Sequence, residues 1–244
     1  MVPVPAEADE DARRGVRERQ DLLGERVAIA NGIASILATL GARGHDPLRR
    51  GRRQQLDDVR TALGDPLPPQ ARARIERMLD RLELVLTQIA ALERQRDAVL
   101  DEAPPGEAER MIRRLVRLRG VGVQSATLLV REAFVRPFAN GKAPGAYAGL
   151  SPTPYGSGGT EREQGIGRAG NARLRTALVE LAWIWQRYQP GSAIVGWFRN
   201  RLSGAARRLR KVMVVALARK LLVALWRFAT RGVIPQGAAL GPAA

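Results

Sequence analysis

Cysteine is absent from the 244 residues, which excludes disulfides, thiolate metal sites and a cysteine nucleophile. Histidine is nearly absent too. The single one, His45, stands in the loop-like stretch Gly41-Ala-Arg-Gly-His-Asp-Pro47, so no histidine triad or histidine metal cluster can be assembled, and any metal would need carboxylates. Long apolar runs are missing as well. The most membrane-like stretch, Val212 to Trp226, falls short of the roughly 20 residues of a span and is broken by Arg219 and Lys220, which predicts a buried or amphipathic helix. The acidic start Ala6-Glu-Ala-Asp-Glu-Asp-Ala12 is unlike a secretory leader. These absences predict a cytoplasmic protein with no membrane partner.

Negative charge is scarce. Asp and Glu number 24 against 40 Lys and Arg, a formal charge of +16, with a pI near 11.5. Such a surplus attracts polyanions through counterion release, so nucleic acid is the first expected partner. Arg far outnumbers Lys, and Arg favours bidentate phosphate contacts, which sets anionic membrane and acidic protein behind nucleic acid. The 45% of hydrophobic residues suffices for one large or two small cores.

What is present reads as mainly helical. Val16, Leu23, Ala30 and Leu37 recur every seven residues, with Ile33 and Leu40 in the alternate position, and Gly41 and Gly44 supply a stop. A basic stretch, Arg49-Arg-Gly-Arg-Arg53, leads to a second helical pattern ending near Gly64. Pro68 and Pro69 then open a long helix with a cleaner heptad: Ile75, Met78, Leu82, Val85, Ile89, Leu92 and Val99, with Arg96 as a charged break. Two such helices fit either an antiparallel coiled-coil hairpin, with a homo-oligomer contact, or a plain helical bundle. This helical region is assigned to 1–105 and a second domain to 106–244.

The second domain opens with a helix over Ala108 to Leu118, a glycine turn Arg119-Gly-Val-Gly-Val123 containing Gly120 and Gly122, and a helix over Gln124 to Ala133. That is the pattern of a helix-hairpin-helix at 108–133, in which a tight turn presents backbone N–H groups to a phosphate. A plain glycine turn between packed helices fits the same residues. Residues 134–167 show little helical periodicity and are expected to be an irregular, serine-bearing segment. Helical pattern resumes at Ala169, and basic C-terminal helices are expected across 168–231. There Arg207, Arg208 and Arg210 interleave with apolar residues, as a DNA-facing surface or a merely solvated face would.

Four stretches follow one another: Leu118-Arg-Gly-Val-Gly122, Ala146-Tyr-Ala-Gly-Leu-Ser-Pro152, Tyr155-Gly-Ser-Gly158 and Arg162-Glu-Gln-Gly-Ile-Gly-Arg-Ala-Gly-Asn171. This series resembles the C-terminal transposase domain of the IS-one-ten family of insertion-sequence transposases, also described as bridge-RNA-guided DNA recombinases. The upstream helices, Val16 to Gly41 and Ala71 to Leu100, look like that family's coiled-coil insertion. The resemblance implies DNA as substrate, a guide RNA as a further partner, action at the bacterial nucleoid, and a serine nucleophile. By motif that serine is Ser157, with Ser151 as runner-up.

The resemblance also implies a magnesium site made by four acids of an N-terminal RuvC-like domain. This sequence begins close to where that domain ends, so the chain is expected to lack it, to bind no cofactor itself, and to be inactive alone. The acids Glu7, Asp9, Glu10 and Asp11 are read instead as helix-start residues. A second departure is Gly167, where the family usually has serine before the basic residue.

A serine that attacks a phosphodiester forms a phosphoserine link that keeps the bond energy for rejoining. Its pentavalent phosphate needs stabilising, and Arg162, Arg168, Arg173 and Arg175 stand in or beside the motif, with Asn171 among the expected nucleic-acid contacts. Gly156, Gly158 and Gly159 would let backbone approach a phosphate. No general base is evident. The competing readings are a non-catalytic helix-hairpin-helix module that holds DNA or RNA, and a coiled-coil assembly subunit.

Overall fold

The computed structural model describes residues 6–102, 104–157, 160–166, 169–203 and 207–241, with backbone alone for 152–157, 160–166 and 207–208. The fold is mainly α, as the periodicity predicts. It divides into two compact units, one of Arg14–Val99 and one of the residues up to Arg13 and from Leu100 onward.

In the first unit, helix α1 (Glu7–Thr39) begins with Glu7, Asp9 and Glu10 in its first turn, where carboxylates offset the positive pole of the helix. The start of α1 belongs to the other unit, because the Arg13 side chain is buried there and donates from Nε to the Arg131 carbonyl at 2.7 Å. The helix ends in a Schellman turn. Gly41 takes φ 65°, the Ala42 N–H reaches back to the Leu37 carbonyl at 2.9 Å, and the Gly41 N–H to that of Ala38 at 3.1 Å. Short α2 (Arg52–Asp57) and long α3 (Pro69–Asp101) follow, the latter opened by Pro69 as expected.

Helices α1 and α3 run antiparallel. Arg19 pairs with Glu93 at 2.6 Å, while a Cβ at Gly32 would press within 2.6 Å of Met78 Cε, so numbers rise on one helix as they fall on the other. Ile33 and Leu37 pack with Ile75, Met78, Leu79 and Leu82 over Leu56, Val59 and Leu67, and Leu22 packs with Val85 and Ile89. The α3 heptad is buried from Ile75 to Ile89, whereas Val99 is exposed. On α1 the register differs from the expectation. Val16, Leu23 and Ala30 are half-buried, and Leu22 takes the inward place expected of Leu23. Adjacent leucines lie about 100° apart on a helix, and the pattern alone cannot say which faces in. By length and hydropathy α1, rather than the 212–226 stretch, is the described helix apolar enough to cross a membrane. Of its apolar residues, Leu22, Ile33 and Leu37 are buried, while Val27 is exposed.

The second unit holds α4 (Glu107–Val116), the glycine turn, and α5 (Val123–Leu129), which runs on as a π-helical turn over Val130–Phe134. Then come α6 (Ala143–Tyr147), strands β1 (Pro152–Ser157) and β2 (Thr160–Ile166), α7 (Ala172–Tyr188), α8 (Ala193–Leu202) and α9 (Arg207–Arg231). Helix α9 is the hub, packing against α4, α6, α7 and α8 with Val214, Leu217, Leu221, Leu225 and Phe228 buried. The 212–226 stretch is thus a core helix, as its composition predicts.

The 134–167 segment is more ordered than expected. It contains α6 and an antiparallel β1–β2 pair in which Tyr155 faces Arg162 and Ser157 faces Thr160.

Candidate functional site

Ser157 is the last residue of β1, opposite Thr160, at the far end of the hairpin from its neck. The neck is closed by a clasp. The Asn171 N–H donates to the Tyr147 carbonyl at 2.9 Å, joining the residue that ends α6 to the one that precedes α7. Gly149 (φ 64°) and Gly170 (φ 108°) lie against each other there, and a side chain on Gly149 would collide with the Ala169 carbonyl and Arg175 Nη1. Only glycine fits, both by backbone angle and by space.

Asn171 holds this clasp with every polar atom it has. Its Oδ1 accepts from the Leu174 N–H at 3.0 Å and so caps α7, while Nδ2 donates to Glu132 Oε2 at 2.8 Å and stands 3.5 Å from Tyr147 Oη. Glu132 is wholly buried in the π-helical turn. The Tyr147 ring carries Arg136 on its face, 5.0 Å from the centroid, and Phe138 at 5.9 Å. Asn171, expected among the nucleic-acid contacts, is therefore engaged inside the chain. Arg173 and Arg175 on the first turn of α7 are half-buried. Arg175 Nη1 is buried with no hydrogen-bond partner among the described residues. Ser151 is half-buried at the neck; a Cβ at Gly145 would lie 3.5 Å from its Oγ and 3.3 Å from Arg219 Nε of α9. The neck thus borders two cationic side chains. The side chains of Ser157, Arg162, Arg207 and Arg208, and Gly158, Gly159, Gly167 and Arg168 entirely, lie outside the described residues.

The glycine turn between α4 and α5 has a structural and an exposed half. Gly120 (φ 85°) lies under Tyr188, whose Cβ would stand 2.9 Å from a Cβ there. Gly122 is exposed with extended backbone before α5, and nothing lies within 4 Å of its Cβ position. The chain's last described residues pin the turn: the Arg119 N–H donates to the Ala239 carbonyl at 3.2 Å, and Gln189 Nε2 donates to the carbonyls of both at 2.8 Å. Of the basic flank, Arg113 donates to the Leu100 and Glu102 carbonyls and Arg114 to that of Ala229, so both serve the fold, whereas Arg117 and Arg119 are exposed.

Beyond α7 the surface is of one sign. No acidic residue occurs from Leu181 to the end of the chain, while Arg187, Arg199, Arg201, Arg210, Lys211, Lys220, Arg227 and Arg231 are exposed there. Arg210 stands over exposed Trp183, 5.7 Å from the ring centroid. Among the described residues no three His, Asp or Glu gather to hold a metal. The sequence motif contained Tyr147 without a role for it, and neither Glu132 nor Arg219 was among the expected site residues. An acid in an apolar helical run was the available signal for Glu132; Arg219 had none, since only the packing of α9 brings it to the neck.

Residues 112–195 match the model of the family described as Transposase IS116/IS110/IS902. The chain is 45% identical over 98% of its length to a Sinorhizobium fredii protein named "Putative transposase y4rJ", of which it spans 62%. It is 30% identical over 94% of its length to a Pseudomonas aeruginosa protein named "Probable family 20 transposase", of which it spans 66%. A Yersinia enterocolitica transposase for insertion sequence element IS1328 is 27% identical over 69% of the chain and 48% of its own length. The chain spans less than two thirds of the length of these curated relatives.

Proposed function

Because the chain belongs to the IS116/IS110/IS902 transposase family, we propose that it acts in DNA transposition, binding DNA and a guide RNA at the nucleoid and exchanging strands through Ser157. The observation that carries this reading is the family match, which runs through the hairpin that bears Ser157. The serine oxygen, its proton lost to a base, attacks a backbone phosphorus. The bond to the leaving deoxyribose oxygen breaks, that oxygen takes up a proton, and the phosphodiester is kept as a phosphoserine ester until a second strand's hydroxyl reverses the step. Arg162, Arg168, Arg173 and Arg175 spread the charge of the pentavalent phosphate. The buried, unpartnered Nη1 of Arg175 supports this, since a buried guanidinium nitrogen calls for an acceptor. The glycine turn, with Gly122 exposed beside Arg117 and Arg119, is a second contact to the DNA backbone.

The magnesium that the resemblance implies does not fit the described residues, which bring no three acids together. One other reading has an observation of its own: the acid-free run from Leu181 onward suits a module that holds nucleic acid and does no chemistry.

The two readings separate in one assay. The chain is joined to a RuvC-like domain from a relative, given guide RNA, magnesium and nicked target DNA, and resolved on a denaturing gel. A protein–DNA adduct with phosphate on Ser157, lost in Ser157→Ala without loss of DNA binding, is the expected result. Phosphate on Ser151 moves the nucleophile six residues upstream. Binding with no adduct in any arm leaves the non-catalytic module.

A further inference from the structure

Between α8 and α9 lies a cleft of about 520 Å³ that the chemistry above does not use. Its walls are apolar, from Ile194, Val223 and Ala224, with Trp197 at one side. Its volume is within the roughly 300–1,000 Å³ usual for sites that enclose a small ring system. Three cations border it: Arg219, Lys220 and Arg227. Lys220 Nζ stands 4.6 Å from the Trp197 ring centroid, and neither Arg219 nor Arg227 makes a hydrogen bond or ion pair with a described residue. No acid occurs on either helix. An apolar slot with an indole wall and an unpaired cationic rim matches a ligand that joins a flat ring to anionic phosphates.

We propose that this cleft takes an unpaired nucleotide of a single-stranded nucleic acid, its base against Trp197 and its flanking phosphates on Arg219, Lys220 and Arg227. A duplex cannot supply this ligand, because its bases are stacked and only its phosphates are on offer; a displaced DNA strand or an RNA loop can. Lys220 is exposed on a four-carbon stem, so it swings to a phosphate and yields the indole face to the base. Arg219 also borders the hairpin neck beside Gly145 and Ser151, so a strand held in the cleft runs toward the segment that carries Ser157. The inference rests on the chain's being a nucleic-acid-binding transposase and is independent of the serine chemistry.

Fluorescein-labelled oligothymidylate, oligouridylate and a duplex of the same length are the probes, with binding to the full chain followed by anisotropy at fixed salt. Trp197→Ala is expected to weaken both single strands about tenfold, the scale of one lost base–aromatic stack, and to shift the duplex less than twofold. Trp197→Phe keeps a ring and restores most of the affinity. Gly141→Leu leaves the indole intact but fills the cleft, since a Cβ at Gly141 already stands 3.4 Å from Val223 Cγ1 and 3.6 Å from Arg227 Nη2; it is expected to act like Trp197→Ala. Thermal melts confirm that each variant folds. A tighter fit to oligouridylate assigns the cleft to RNA, and to oligothymidylate, to a displaced DNA strand. Single-strand affinities within twofold of the parent for both Trp197→Ala and Gly141→Leu would overturn the proposal, as would an equal loss on the duplex. A parent that binds none of the probes overturns the transposase reading itself, and this inference with it.

Discussion

Asn171 shows how one residue can tie separate elements together with all of its polar atoms. It caps α7, closes the hairpin neck through its N–H, and donates from its amide nitrogen to buried Glu132. Replacing it by alanine removes a cap worth about 1 kcal/mol and takes a donor from a buried carboxylate, at about 1–3 kcal/mol more. Asn171→Ala is therefore expected to lower the unfolding free energy by about 2–4 kcal/mol in total, read as a lower urea midpoint. Asn171→Asp separates the two parts, because aspartate caps as well as asparagine but sets a carboxylate against Glu132. The second variant is expected to be no more stable than the first at neutral pH. Parental stability in Asn171→Asp would show that the cap alone matters and that the bond to Glu132 holds nothing. Arg175 is the contrasting case at this scale. Its buried Nη1 lacks a hydrogen-bond partner among the described residues.

At the scale of elements, the clearest test lies in the helix pair. Leu82 and Ile89 are buried on the face of α3 that meets α1. Placing carboxylates at both, Leu82→Asp with Ile89→Asp, is expected to cost several kcal/mol and to unfold the Arg14–Val99 unit in thermal circular dichroism. An unchanged melting temperature would mean that the pair contributes nothing to stability. The α3 face was legible because its inward residues recur along one seven-residue stripe, so spacing and burial agree at Ile75, Met78, Leu82, Val85 and Ile89, while buried Leu79 falls outside that stripe. The α1 face was legible at Ile33 and Leu37, which are buried, but not at Leu22 and Leu23, which are adjacent, so that tertiary packing decides between them. The serine segment was legible in part. Its motif points to Ser157, and Thr153, Tyr155 and Thr160 around Gly158-Gly159 carry a hairpin signal that the many glycines and prolines obscured. The clasp that closes the neck was not legible, since it joins residue 171 to residue 147 and, through its side chain, to residue 132, and no local pattern encodes contacts across 24 and 39 positions.

For the whole molecule the dominant fact is charge. The formal +16 is unevenly spread, with every residue after Glu180 neutral or basic. Exposed pairs such as Arg53 with Asp80 and Glu83 lie in the Arg14–Val99 unit, where the hydrogen bond from Arg53 holds the Glu83 carboxyl below its ordinary value. Being exposed, such pairs stabilise the fold by no more than about 1 kcal/mol each. They also neutralise cations that would otherwise face a polyanion, so binding is expected to centre on α7 to α9. If arginines there displace condensed counterions, the logarithm of affinity for duplex DNA falls linearly with the logarithm of salt, with a slope of about 0.9 per phosphate contact. Changing Arg207, Arg208 and Arg210 together to glutamine is expected to flatten that slope by about 2–3, three contacts at most being lost. Changing Arg53, Arg72 and Arg96 together serves as the control, because each is ion-paired with a carboxylate, and the slope should stay as it was. Filter binding from low to physiological salt reads both. A slope that flattens equally in the two variants would show that net charge alone draws the chain to DNA. A slope unmoved by the first would mark the start of α9 as a solvated face, and leave DNA to Arg117, Arg119 and the neck.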